Sequence, residues 1–136
     1  MKKSQLRTYV FFSLAAIMII FAFGCNVKLV PAKSSEAVDL LTNIQRDGAT
    51  ALSDLTFNQV EYDVATSEIG ALIALDQTRI KAVKLVNQDL QIQKLFTEYE
   101  TEHRNKGTIV TSESNTYNQY FTSIVRPRII SENSLK

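Results

Sequence analysis

A single cysteine, Cys25, rules out an internal disulfide framework in any compartment. A single histidine, His103, rules out a di-iron bundle site within one chain, because that site takes two Glu-x-x-His pairs and two further glutamates. No Gly-rich phosphate loop and no Gly-x-Ser-x-Gly elbow is present, which removes the two commonest signatures of nucleotide binding and serine nucleophiles. Charge of one sign is also lacking. Beyond Cys25 there are 12 basic and 14 acidic residues, a balance of about −2 that offers no counterion release for nucleic acid. No polybasic cluster of the kind that holds a protein to anionic lipid occurs. With only four Gly and two Pro among many Leu, Ile, Ala, Glu, Gln and Lys, the composition favours helix over strand.

What is present begins at the N-terminus. "MKKSQLR" is basic, the run from Thr8 to Phe23 is uncharged and largely apolar, and Gly24 and Cys25 follow. Basic start, apolar middle and small residue before a cut are the parts of a secretory signal. The run is short for a membrane-spanning helix, which takes about 20 apolar residues. These residues resemble a bacterial lipoprotein signal, whose lipobox ends in a small residue followed by cysteine. Ala22 and Phe23 stand where that family prefers Leu and then Ala or Ser. The resemblance implies cleavage between Gly24 and Cys25, with a thioether-linked diacylglycerol and a further acyl chain on Cys25. It also implies residence in the cell envelope. Asn26, not Asp, follows the cysteine, which favours the outer membrane, facing the periplasm, over the inner membrane. The alternative for the same residues is an uncleaved single-pass anchor with its basic end in the cytoplasm.

The organisation expected is therefore a signal over 1–24, an acylated cysteine and tether over 25–35, and a helical domain over 36–136. Pro31 gives the tether an extended path. Ser34 or Ser35 supplies a helix N-cap, with Glu36 and Asp39 in the first turn. Val38, Leu41, Ile44, Gly48, Leu52 and Leu55 recur every three or four residues and predict a first helix, with Gly48 at a close helix–helix approach. A second helix is predicted from Phe57 to Thr78 on Tyr62, Ala65, Ile69 and Leu72, with a wide face that takes in Val60 and Val64. The third runs from Arg79 to Arg104 on Val83, Leu85, Val86, Leu90, Ile92, Leu95, Phe96 and Tyr99, and is ended by Lys106-Gly107. The fourth is capped by Ser112, carries Tyr117, Tyr120, Phe121, Ile124 and Val125, and is kinked or ended by Pro127. Four such helices with short connections predict an all-α fold, a small antiparallel bundle.

The segment from Phe96 to Leu135 is similar to small helical lipoproteins of Bacteroidota. It carries their Tyr-acid-x-x-His stretch in Tyr99, Glu100 and His103, then Tyr120, Pro127 and Glu132. That resemblance implies no activity. Glu100 and His103 have metal-ligand spacing, yet no second His or free Cys completes a set, so no metal, cofactor or catalytic residue is assigned. His103 reads as an imidazole at the edge of the core near a helix C-terminus. Tyr99, His103, Tyr120, Arg126 and Arg128 form the candidate partner surface, with Arg126 and Arg128 as a solvated basic edge around Pro127. The expected function is non-enzymatic. A module is held at a membrane by acyl chains on Cys25 and binds an unknown envelope protein. The alternative is a carrier with an apolar ligand among Tyr62, Phe96, Tyr117 and Phe121.

Overall fold

The computed structural model describes residues 31–135. They form four helices: α1 (Ser35–Ser53), α2 (Gln59–Thr78), α3 (Val83–Lys106) and α4 (Thr111–Ser134). Each helix packs on the next, and α4 closes back on α1, so the four make an up-down-up-down antiparallel bundle. Among the described residues the only extended pairing is a single antiparallel bridge between Thr56 and Thr108. The all-α bundle is the fold expected from the sequence.

The core lies on the predicted stripes. Leu41, Ile44 and Leu52 of α1, Tyr62, Ala65, Ile69 and Leu72 of α2, Ile92 and Phe96 of α3, and Phe121 and Val125 of α4 are all essentially buried. Gly48 sits where α1 crosses α4. A Cβ placed there would lie 2.5 Å from Phe121 Cζ, inside any real contact distance, so the missing side chain is what lets the ring in. The second helix is narrower than its apolar content predicts. Val60 and Val64 are 70% and 45% exposed, because α2 packs only on α1 and α3.

Local chemistry explains the helix ends. Ser34 caps α1, its Oγ accepting from the Ala37 N–H at 3.2 Å. Gly107 ends α3 at φ +70°, a conformation that suits a residue without Cβ, and its N–H donates to the His103 carbonyl. Several boundaries differ from expectation; the second helix, expected from Phe57, begins at Gln59, and the third runs two residues past Arg104 to Lys106. The third helix begins at Val83, not Arg79, because Arg79 to Ala82 turn the corner, with Lys81 at φ +66°. Ser112 lies inside α4 and does not cap it; the Glu113 carboxylate accepts from the Val110 N–H at 3.2 Å instead. Pro127 does not end α4, which runs on to Ser134. One missing donor is tolerated because the turn after Pro127 is held by side-chain bonds into the core.

The antiparallel arrangement gives the bundle two poles. One gathers the start of α1, the α2–α3 corner and the end of α4, and the chain arrives there from its N-terminal side. The other gathers the α1–α2 and α3–α4 loops, stitched by backbone bonds from Phe57 N–H to the Gly107 carbonyl and from Ile109 N–H to the Leu55 carbonyl, both 2.8 Å.

Candidate functional site

Position along each stripe decides which polar side chains enter the core. On α2 the buried series Tyr62, Ala65, Ile69, Leu72 continues to Asp76; on α3 Leu85 is followed by Asp89, then Ile92 and Phe96. On α4 Phe121 and Val125 lead to Arg128 and Glu132. The helical repeat carries four charges to one end of the core, where each is at most 1% exposed.

Arg128 is the centre of this cluster. Its Nε donates to Asp89 Oδ1 at 2.8 Å, its Nη1 to Glu132 Oε2 at 3.0 Å, and its Nη2 to Asp76 Oδ2. Arg79, at the α2–α3 corner, donates to both oxygens of Glu132, at 2.8 and 3.0 Å, and pairs with Asp76. The incoming chain joins the same network. The Ala32 carbonyl accepts from Arg79 Nη2, and the Ser34 N–H donates to Glu132 Oε1 at 2.8 Å. Pro31 is buried beside them. The cluster therefore clasps α2, α3, α4 and the segment that precedes α1.

Three carboxylates face two guanidinium groups, a formal excess of one negative charge. Burial and the neighbouring Asp76 carboxylate push Asp89 up to about 7 against the attraction of Arg128. One proton on Asp89 balances the cluster. Glu132 behaves oppositely. Burial opposes its ionisation, but the donors from Arg79, Ser34 and Arg128 outweigh it and hold its carboxyl below the usual range. With its guanidinium nitrogens committed to carboxylates, Arg128 acts as a clasp and not as an acid or base.

At the other pole His103 is fully buried. Its Nδ1 lies 3.0 Å from Tyr62 Oη, and its Nε2 faces the Leu55 carbonyl at 3.4 Å. A carbonyl only accepts, so Nε2 carries a ring proton, and in the neutral imidazole Nδ1 then accepts from the Tyr62 hydroxyl. Burial, with the Glu100 carboxylate nearby, pushes the Tyr62 hydroxyl up, so it keeps that proton. Phe57 stands edge-on to the imidazole and stacks on Tyr62, and the Arg104 guanidinium covers Phe57. Glu100 is turned outward to Arg104 and Gln59, away from any shared ligand with His103.

The five residues expected to share a partner surface do not share one. His103 and Arg128 are corrections: both are buried, at opposite poles, the one on the stripe of α3 and the other on the stripe of α4. Arg126, two positions from Arg128 and so on the far side of the helix, is exposed. Tyr120 is 59% exposed, and Tyr99 is half-buried against Tyr117, ring centroids 4.4 Å apart. Arg126 joins Asn115, Asn118, Gln119 and Thr122 in lining a shallow cleft on one flank of α4, while Tyr120, roughly 120° round the helix from Arg126, is exposed on the other flank. From Ser114 to Val125 that helix carries no charge. Asp76 and Asp89 have no part in the sequence reading and Glu132 enters it only through the resemblance, although each continues a stripe at helical spacing.

Among the described residues no group of three or more His, Cys, Asp or Glu is placed to hold a metal ion, and no helix is long and apolar enough to cross a membrane. Gly24 and Cys25 lie outside the described residues. No protein-family model, curated protein or solved structure matches the chain.

Proposed function

We propose that the chain is a lipid-anchored envelope lipoprotein whose helical bundle is a non-enzymatic, protein-binding module held close against a membrane. The observation that carries this reading is the clasp on the incoming chain. Pro31 to Ser34 are bound to the bundle through Arg79 and Glu132, and Cys25 lies only six residues before Pro31. Six extended residues span at most roughly 20 Å, so acyl chains on Cys25 hold this pole within about that distance of the bilayer. Insertion is firm with two or more chains, as each buried CH₂ contributes about 0.8 kcal/mol. The outer membrane, facing the periplasm, is the location favoured by Asn26.

The partner face we assign is the outer side of α4. An uncharged polar strip with Arg126 at its edge has the charge depletion of an interface centre, and Tyr120 stands exposed on the adjoining flank of the same helix. The carrier alternative has less support. Tyr62, Phe96 and Phe121 touch one another, with centroids 5.3 and 5.4 Å apart, in the space where an apolar ligand would sit.

Mass spectrometry of the N-terminal peptide from the host's membranes tests the anchor. Wild type is expected to begin at an acylated Cys25, and Cys25→Ser to keep the uncut terminus. A wild-type peptide starting at Met1 without acyl mass defeats the reading in favour of the uncleaved anchor.

A further inference from the structure

The α2–α3 corner lies at the pole where the chain arrives, and its exposed surface is not that of an ordinary turn. Ile80 is 81% exposed and Val83 73% exposed, more than the other large apolar side chains described. Lys81 and Lys84 alternate with them, and both are exposed. Asp76 and Asp89 are the nearest acids in sequence on either side, and both are buried in the Arg128 cluster. Lys33 adds a further cation on the incoming segment, while Glu36 and Asp39 lie across the pole on α1. The far pole also exposes apolar groups, Leu55, Val60 and Val110, but acids attend them: Asp54, Glu61 and Glu113, the last paired with Lys106 at 2.8 Å. Apolar side chains ringed by lysines suit an anionic lipid interface, and the same side chains ringed by acids do not.

We propose that the α2–α3 corner is a second membrane contact, seating Ile80 and Val83 among the acyl-chain tops of an anionic bilayer with Lys81 and Lys84 at the lipid phosphates. This rests on the anchoring reading for proximity: a chain tied to the membrane before Pro31 is tied at this pole. A cleft of about 200 Å³ lined by Lys81, Lys84, Pro31, Ser131 and Leu135 opens beside the corner. With an anchor and a corner both on the bilayer, the bundle is fixed in orientation and the α4 face stands clear of the lipid.

The chain contains no tryptophan, so one introduced residue reports alone. Full-length Ile80→Trp, Val83→Trp and, at the far pole, Val110→Trp are reconstituted in phosphatidylcholine vesicles with phosphatidylglycerol, with and without brominated acyl chains. All three positions are well exposed, so folding is not at stake. Ile80→Trp and Val83→Trp are expected to emit at shorter wavelength than Val110→Trp and to be quenched by bromine. Adding Lys81→Glu and Lys84→Glu to Ile80→Trp is expected to abolish most of that quenching. Equal quenching of Ile80→Trp and Val110→Trp overturns the proposal. So does a blue shift without bromine quenching, which would put another protein surface over the corner. The N-terminal peptide mass of the same samples scores the anchor separately, since an uncleaved anchor leaves the corner at the same pole.

Discussion

Replacing Arg128 by Met keeps most of the side-chain volume and removes the one fully buried cation among the described residues. Asp76, Asp89 and Glu132 then remain at the same end of the core with only Arg79, at the rim, to balance them. Breaking a buried ionic contact by deleting one partner costs about 3–5 kcal/mol, most of it the desolvation of the charges left behind. A domain of this size has roughly 5–15 kcal/mol in total. Arg128→Met should therefore lower the thermal midpoint by about 12 °C or more, at about 4–8 °C per kcal/mol. Urea and thermal unfolding of the lipid-free chain from Asn26, followed by far-UV circular dichroism, give the quantity directly. The pH dependence separates charge from packing. Without Arg128, Asp89 loses the attraction that opposes its burial, so its folded value lies further above the unfolded one and the variant loses more stability as pH rises through that window. The deficit at pH 7.5 should exceed that at pH 4.5. A deficit below about 1 kcal/mol, or one independent of pH, refutes the reasoning and assigns the site to packing alone.

Other substitutions test the remaining contacts. Asp89 sits at about 7 in the fold against an ordinary 3.8, so the folded chain holds more protons between those values and loses stability as pH rises through that window. Asp89→Asn should flatten that slope in a melting-temperature series, and an unchanged slope would place the proton elsewhere. Gly48→Ala forces a methyl group against Phe121 and should cost about 1–3 kcal/mol by overpacking, less up to ~1 kcal/mol gained in helix propensity. Phe121→Leu in the same chain should recover part of the loss, and strict additivity of the two effects would disprove the contact. Tyr62→Phe leaves His103 Nδ1 buried without its donor and should cost about 1–3 kcal/mol in urea unfolding. No change in the urea midpoint would mean that the imidazole is satisfied in another way.

The stripe on α1 was legible because Leu41, Ile44, Gly48 and Leu52 keep an unbroken helical period, and the role of Gly48 followed from its place on that stripe. Gly107 was equally plain as a helix stop. The charged members of the stripes were hidden by their residue type. Arg128 beside Arg126 and Pro127 looks like a basic edge until its register is counted from Val125, and Asp89 looks like a solvated break between Leu85 and Ile92. Leu90 and Val83 drew the eye as apolar, yet both are exposed, since their positions lie off the buried face. Periodicity locates the inward face, but it does not say whether a partner waits there for a charge.

Helix number, helix direction and core stripes were determined by the sequence alone, because a 3.6-residue repeat and local stop signals act over a few residues and need no distant partner. The signal-like segment and Cys25 are likewise read from consecutive residues. Only the tertiary structure decided that Asp76, Arg79, Asp89, Arg128 and Glu132 meet, since they come from three helices and a corner up to 56 positions apart. Burial of a charge is permitted only where opposite charges converge, and convergence is a property of the packed bundle, not of any one segment. The same convergence pins the segment before α1 to one pole of the bundle, through the Ala32 carbonyl and the Ser34 N–H.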